Sequence, residues 1–193
     1  MIITNTPQKT LAKAVELKGI GLHSGKAIDL VLKPAAADCG FVFVRTDLDP
    51  QVEIPALAQY VSKTDRGTTL SVEGVDVQTT EHVLAALVGC GINNCRIELN
   101  GAEVPILDGS SKPFVEAIQT AGIQDQEAQQ EIFVVQENIH ITDVASGSEI
   151  LIVPAESTSL TVLIDFETKV LGTQNAVLHK MEDFPSEIAS SRT

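Results

Sequence analysis

One run constrains this chain more than any other: Thr79 to Leu99, TTEHVLAALVGCGINNCRIEL. It predicts a helix, a glycine stop and a strand in direct succession. Thr79 or Thr80 stands where a hydroxyl can cap the first turn. Val83, Leu84, Leu87 and Val88 recur at helical spacing and give an apolar face. Gly91 stands where a helix ends with a positive backbone angle, and Arg96-Ile97-Glu98-Leu99 alternates as a strand does. The first turn carries the adjacent pair Glu81-His82. Unpaired N–H groups and the positive end of the dipole favour an anionic carboxylate there and disfavour a cationic imidazole. That combination suits a general base beside a metal ligand. Polar residues in a first turn more often serve capping and solvation. The order Glu-His, with Ala86 four residues after His82, is also not the zincin pattern of two histidines on one helical face. Any metal at His82 needs co-ligands from elsewhere in the fold.

Composition narrows the function classes. The 193 residues carry 26 acidic and 13 basic side chains, a net charge of −13, with no basic cluster. This argues against a nucleic-acid partner, because phosphate-backbone binding draws on clustered Lys and Arg. With 44% hydrophobic residues but only 4% aromatics, the core must be aliphatic. No stretch approaches the roughly 20 apolar residues of a membrane helix, and MIITNTPQKT lacks the basic start and apolar run of a secretory leader. Cys39, Cys90 and Cys95 form no CxxC, so buried, reduced thiols in a cytoplasmic protein are expected.

Along the chain, Leu11–Leu17 and Ala27–Lys33 alternate as strands around the glycine-rich turn GIGLHSG. That turn lacks the Gly-Lys-Ser/Thr ending and the following helix of a phosphate loop. Phe41–Arg45 reads as a strand and Val52–Pro55 as an edge strand stopped by proline. A hairpin around Glu73-Gly74 leads into the Glu81-His82 helix. Ser111-Lys112-Pro113 opens a second helix, closed by Gly122. Residues 122–131, GIQDQEAQQE, are polar and short of apolar anchors, and read as a linker. Strands restart at 132–135, 139–141, 149–153 and 160–166, and Pro185 is expected to open a helix through Ile188 to Thr193. The reading is α+β: a two-layer sheet/helix sandwich over residues 1–126, then the start of a second, truncated domain of similar topology over 131–193, left short of helices to cover its sheet.

The motifs GIGLHSGK, TTEHVLAAL, PILDGSSKPF and Ser191-Arg192-Thr193, in this order, resemble those of the zinc-dependent UDP-3-O-acyl-N-acetylglucosamine deacetylases, which act at the first committed step of lipid A biosynthesis. The resemblance covers essentially the whole chain. It implies two α/β domains of similar topology with the site between them, a UDP-acyl-glucosamine substrate and a Zn2+ cofactor. By resemblance, His82 is a zinc ligand, Glu81 the general base, and Thr193 the hydroxyl that helps hold the oxyanion. Phe166, in Ile164-Asp165-Phe166, is similar to an aromatic near the nucleotide, although a strand phenylalanine in the core fits its position equally. The family's other zinc ligands (a His and an Asp) and its general-acid His have no counterpart here. His23 is expected to be structural or to line the cleft, and His140 and His179 to face solvent or a strand. The 193 residues alone are therefore expected neither to retain zinc nor to turn over. Some members of this family are fused to a 3-hydroxyacyl carrier-protein dehydratase. The competing reading is a non-catalytic sugar-nucleotide-binding or assembly module of the same fold.

Overall fold

The computed structural model describes residues 2–192. In chain order the strands are β1 (Ile2–Leu11), β2 (Val15–Ile20), β3 (Ala27–Pro34), β4 (Phe41–Arg45), β5 (Val52–Pro55), β6 (Val61–Lys63), β7 (Thr69–Val72) and β8 (Val75–Val77). Helix α1 (Glu81–Gly89), β9 (Cys95–Leu99), α2 (Lys112–Ala121) and β10 (Ile123–Ile132) follow. Then come β11 (Ile139–Asp143), β12 (Ser148–Ile152), β13 (Leu160–Asp165), β14 (Thr173–Leu178) and the short α3 (Phe184–Glu187). The expected mixture of sheets and few helices is present.

The central sheet has the order β2-β3-β9-β4-β5. Its pairs are antiparallel except β4 with β9, which run parallel. β5 is an edge strand, as Pro55 dictates. In β3 the side chains of Ile28, Leu30 and Leu32 are buried and Asp29 is exposed, so one face of the sheet turns inward. That face shares a core with Val83, Ala86 and Leu87 of α1 and with Phe114, Val115 and Ile118 of α2. Each fully buried Leu, Ile or Phe contributes roughly 1.5–3 kcal/mol. On α1 the buried face is His82, Val83, Ala86, Leu87 and Gly89, whereas Val88 is half exposed. The helix is thus rotated from the expected stripe, because Gly89 rather than Val88 meets the ring of Phe184.

Three boundaries differ from the sequence reading. The polar segment 122–131 is not a linker. Residues 123–132 form β10, paired antiparallel along β1 from Leu11↔Ile123 to Ile2↔Ile132. Its inward positions, Gln126, Ala128 and Gln130, alternate as in any half-buried strand, but amides carry the pattern. Gln126 donates to the Ala35 carbonyl (2.9 Å) and accepts from Asn94 (2.8 Å), and Gln130 donates to Pro7 O (3.0 Å). Satisfied amides replace apolar burial there, so hydropathy cannot reveal the strand. Second, the chain turns a corner at residues 12–14, which separates β1 from β2. Third, α3 ends at Glu187 instead of continuing to Thr193, and Arg192 lies in an isolated bridge to Ser110.

Beyond β10, the strands form two separate two-stranded sheets, β11-β12 and β13-β14. They expose apolar side chains such as Ile141, Leu151 and Leu163. β14 was not apparent in the sequence, since Thr173-Gln174-Asn175 carries no apolar alternation. Among the described residues no helix is long and apolar enough to cross a membrane.

Candidate active site

Glu81 is the first residue of α1 and His82 the second. Thr80 precedes them as the N-cap, but neither threonine caps with its side chain as expected. The Thr80 hydroxyl instead donates to the Thr68 carbonyl (3.2 Å), and the Thr79 hydroxyl donates to Glu103 Oε1 (3.3 Å). The helix entry is therefore secured by tertiary bonds rather than by a local cap. Glu81 is half-buried, and its Oε2 accepts the backbone N–H of Thr68 at 3.0 Å. Its Oε1 lies beside Gly67, where a Cβ would stand 3.1 Å away. The turn between β6 and β7 thus aims the carboxylate. His82 is buried, at 9% exposure, on the core-facing side of the helix.

The second structural centre is Glu103, which is 1% exposed. Its Oε1 accepts from the His23 backbone N–H (2.9 Å) and its Oε2 from that of Ser24 (2.8 Å). Burial pushes its carboxyl upward, but the N–H bonds of His23 and Ser24 and the Ser24 hydroxyl outweigh it, and the net shift is below the ordinary carboxylate range. The glycine-rich turn is consequently a cradle already filled by an internal anion. Gly21 is obligatory in it, because any Cβ would overlap Ser24 Oγ and Glu103 Oε2. His23 and Ser24 themselves are exposed.

Thr79 has φ +58, an outlier for a β-branched residue. Such a conformation costs of order 1–3 kcal/mol and persists only where the surroundings impose it. Here they are dense: Gln78 N–H donates to Ala102 O (2.9 Å), Val104 N–H to Gln78 O (3.0 Å), and Thr79 is 3% exposed. The motifs GIGLHSGK and TTEHVLAAL, about 60 residues apart in sequence, are thereby joined through one carboxylate.

PILDGSSKPF begins two residues after Glu103 and folds as local turn chemistry demands. Asp108 Oδ1 accepts from the Ser110 N–H (3.0 Å) and hydroxyl (2.7 Å), and Oδ2 faces Arg192 Nη2 at 3.5 Å. The Ser110 bonds and, less strongly, Arg192 hold the Asp108 carboxyl below its usual range. Ser191-Arg192 is thereby brought against the Asp108–Ser110 loop. Thr193, assigned to the oxyanion, lies outside the described residues. Phe166 follows β13 and is 41% exposed, not a core phenylalanine. It lines a cleft of about 310 Å³ with Leu160, Ile164, Leu178, Ser191 and Arg192; Glu81 and His82 are not in its walls.

Of the other histidines, His23 and His179 are exposed, and His140 Nε2 lies 3.6 Å from Glu149 on β12. Among the described residues no group of three or more His, Cys, Asp or Glu side chains converges as a metal site would require. The donor set present, one imidazole beside one carboxylate, suits a single position of a zinc site and does not complete it. The thiols are free, but only Cys95 is fully buried; Cys39 is exposed, contrary to the expectation of three buried thiols.

Sequence reasoning missed Glu103 and Gly67. Glu103 follows an Asn-Gly turn and looks like any solvated acid, and nothing local announces that its partners lie some 80 residues earlier. Gly67 sits in a polar turn that predicts only a bend.

The comparison with known proteins gives the class: residues 8–193 match the family model LpxC, UDP-3-O-acyl N-acetylglycosamine deacetylase. The chain belongs to this family. It is 46% identical over 187 residues to a UDP-3-O-acyl-N-acetylglucosamine deacetylase of Myxococcus xanthus, covering 96% of this chain and 59% of that protein. A protein of the same name from Hahella chejuensis is 43% identical, with 96% and 62% covered. A bifunctional enzyme LpxC/FabZ of Chlorobaculum tepidum is also 43% identical, with 96% and 40% covered. The chain thus spans about three-fifths of the single-function relatives and two-fifths of the bifunctional one.

Proposed function

We propose that this chain forms the Glu-His portion of a zinc-dependent enzyme that hydrolyses the N-acetyl group of UDP-3-O-acyl-N-acetylglucosamine, on the route to lipid A. The observation that carries this reading is the Glu81 carboxylate held by Thr68 N–H at the start of α1, next to buried His82, in a member of the deacetylase family.

In this reading Glu81 Oε1, the oxygen not engaged by Thr68, accepts the proton of the attacking water. General-base assistance of this kind contributes typically 10²–10⁴-fold. The Thr68 bond fixes the direction of the carboxylate and leaves one oxygen for the proton. His82 would hold the zinc ion through one imidazole nitrogen. The chemistry such an ion supplies when bound is Lewis-acid polarisation of the amide carbonyl and of water. The Thr193 hydroxyl donates to the developing oxyanion, a contact worth roughly 3–4 kcal/mol. The Asp108–Arg192 pair and the Ser110–Arg192 bridge hold the residue before it. Phe166 offers an exposed aromatic face for the nucleotide. The bifunctional relatives are consistent with a dehydratase as a fused partner activity.

The test is acetate release from UDP-3-O-acyl-N-acetylglucosamine by the natural full-length protein, with zinc content measured alongside. Turnover that depends on Glu81 and on the metal is expected; full turnover by Glu81→Ala overturns the reading. The 193 residues assayed alone are expected to release no acetate, because a catalytic zinc takes three protein ligands.

A further inference from the structure

Two residues outside the proposed chemistry stand out. Glu103 is a carboxylate buried to 1% exposure, and Thr79 is a β-branched residue held at φ +58 two positions before Glu81. They bond to each other, Thr79 Oγ1 to Glu103 Oε1 at 3.3 Å. The same carboxylate takes the N–H groups of His23 and Ser24. A residue strained and buried at the mouth of a functional helix needs a reason to be there, and glycine would satisfy the backbone at no steric cost. What threonine adds is the hydroxyl that reaches Glu103.

We propose that Glu103 and Thr79 are positioning residues of the deacetylase centre: their hydrogen bond locks the glycine-rich turn to the entry of α1, and so sets where Glu81 and His82 stand. This rests on the deacetylase reading above. Thr79 turns the chain into the left-handed region, so that Thr80 meets the Thr68 carbonyl through both its N–H (3.3 Å) and its hydroxyl (3.2 Å). Glu81 then meets the Thr68 N–H from the next position. A change at Thr79 passes through a single residue, Thr80, to the one that handles the proton. The Gly21–Gly25 turn moves with it, because Glu103 is the common anchor of both segments.

The test uses the natural full-length protein with Thr79→Gly, Thr79→Ser and Glu103→Gln. Thr79→Gly keeps the backbone angle and removes the hydroxyl. It is expected to unfold no earlier than wild type, with kcat lowered roughly 10- to 100-fold and KM within about twofold, as for a misplaced catalytic group. Thr79→Ser restores the hydroxyl and brings kcat back to within a few-fold. Glu103→Gln turns an NH2 group toward N–H donors and loses kcat at least as far; should it not fold, the Thr79 pair decides. Wild-type kcat in Thr79→Gly, or no recovery in Thr79→Ser, overturns the proposal. Amide hydrogen exchange separates it from the reading beneath. Faster exchange at His23, Ser24 and Glu81 in Thr79→Gly supports the linkage and unchanged exchange sinks it, whatever the assay shows. Absence of acetate release by the wild type sinks the deacetylase reading alone.

Discussion

The Glu81 carboxylate accepts the backbone N–H of Thr68 across 3.0 Å, tying the first residue of α1 to the turn before β7. A main-chain donor cannot swing away as a side chain can, so the direction of this carboxylate is set by the fold. Glu81→Gln should preserve that bond, since an amide oxygen accepts the same N–H, while removing the proton acceptor. Stability within about 0.5 kcal/mol of wild type and deacetylation lowered roughly 10²–10⁴-fold are expected, read by denaturant unfolding and acetate release on the full-length protein.

Gly67 has φ +151, and a Cβ there would stand 3.1 Å from Glu81 Oε1. Gly67→Ala should cost about 1 kcal/mol or more through backbone strain and also turn the carboxylate. A drop in rate larger than the stability loss explains is the expected signature. An alanine variant with full activity would show that the contact does not aim Glu81.

Gly89 closes α1 against the ring of Phe184, which any Cβ would overlap. Alanine gains up to about 1 kcal/mol of helix propensity over glycine. Displacing a ring that is 7% exposed costs roughly 1–3 kcal/mol, so the clash should win and Gly89→Ala should lower the unfolding midpoint. In a Phe184→Ala background the same change should cost less or become stabilising, a coupling that a double-mutant cycle measures directly.

Glu103 predicts a pH dependence of stability. Its carboxyl is shifted down in the folded chain, so the unfolded chain binds the proton more tightly. The stabilisation is present above the unfolded carboxylate value, about 4.3, and is lost as pH falls through the lower folded value. Denaturant midpoints taken between about pH 7 and pH 3 should fall on acidification. They should fall less steeply in Glu103→Gln, which has no proton to take up.

Thiol reactivity should follow burial. Desolvation pushes Cys95 up to about 12, so at neutral pH it is a sheltered thiol. Cys39 is exposed, although burial of part of its surface and the charge of Glu53 raise it too. Alkylation of the native protein followed by peptide mass mapping should label Cys39 first and leave Cys95 until the chain unfolds.

Much of the fold was legible. The alternation of β3 and β9, the apolar run of β4, the hairpin into α1 and the glycine stops at Gly91 and Gly122, which the structure holds at positive φ (+72 and +74), follow from residue order. The strand β10 was not legible, because its inner face is written in glutamines whose partners come from distant loops. The threonines before α1 do not act as local caps for the same reason: their hydroxyls donate to the Thr68 carbonyl and to Glu103 Oε1 instead of accepting from the helix's own N–H groups.

By itself the sequence determined the α+β character, the family and the Glu81-His82 pair at a helix start, because these depend on residue order and short-range periodicity. Tertiary structure alone decided that Glu103 fills the glycine turn, that Thr68 aims Glu81, and that Arg192 reaches Asp108. Each is a polar contact between different segments that no local pattern encodes, and a buried group such as Glu103 reveals its partners only once folding has removed water as the alternative.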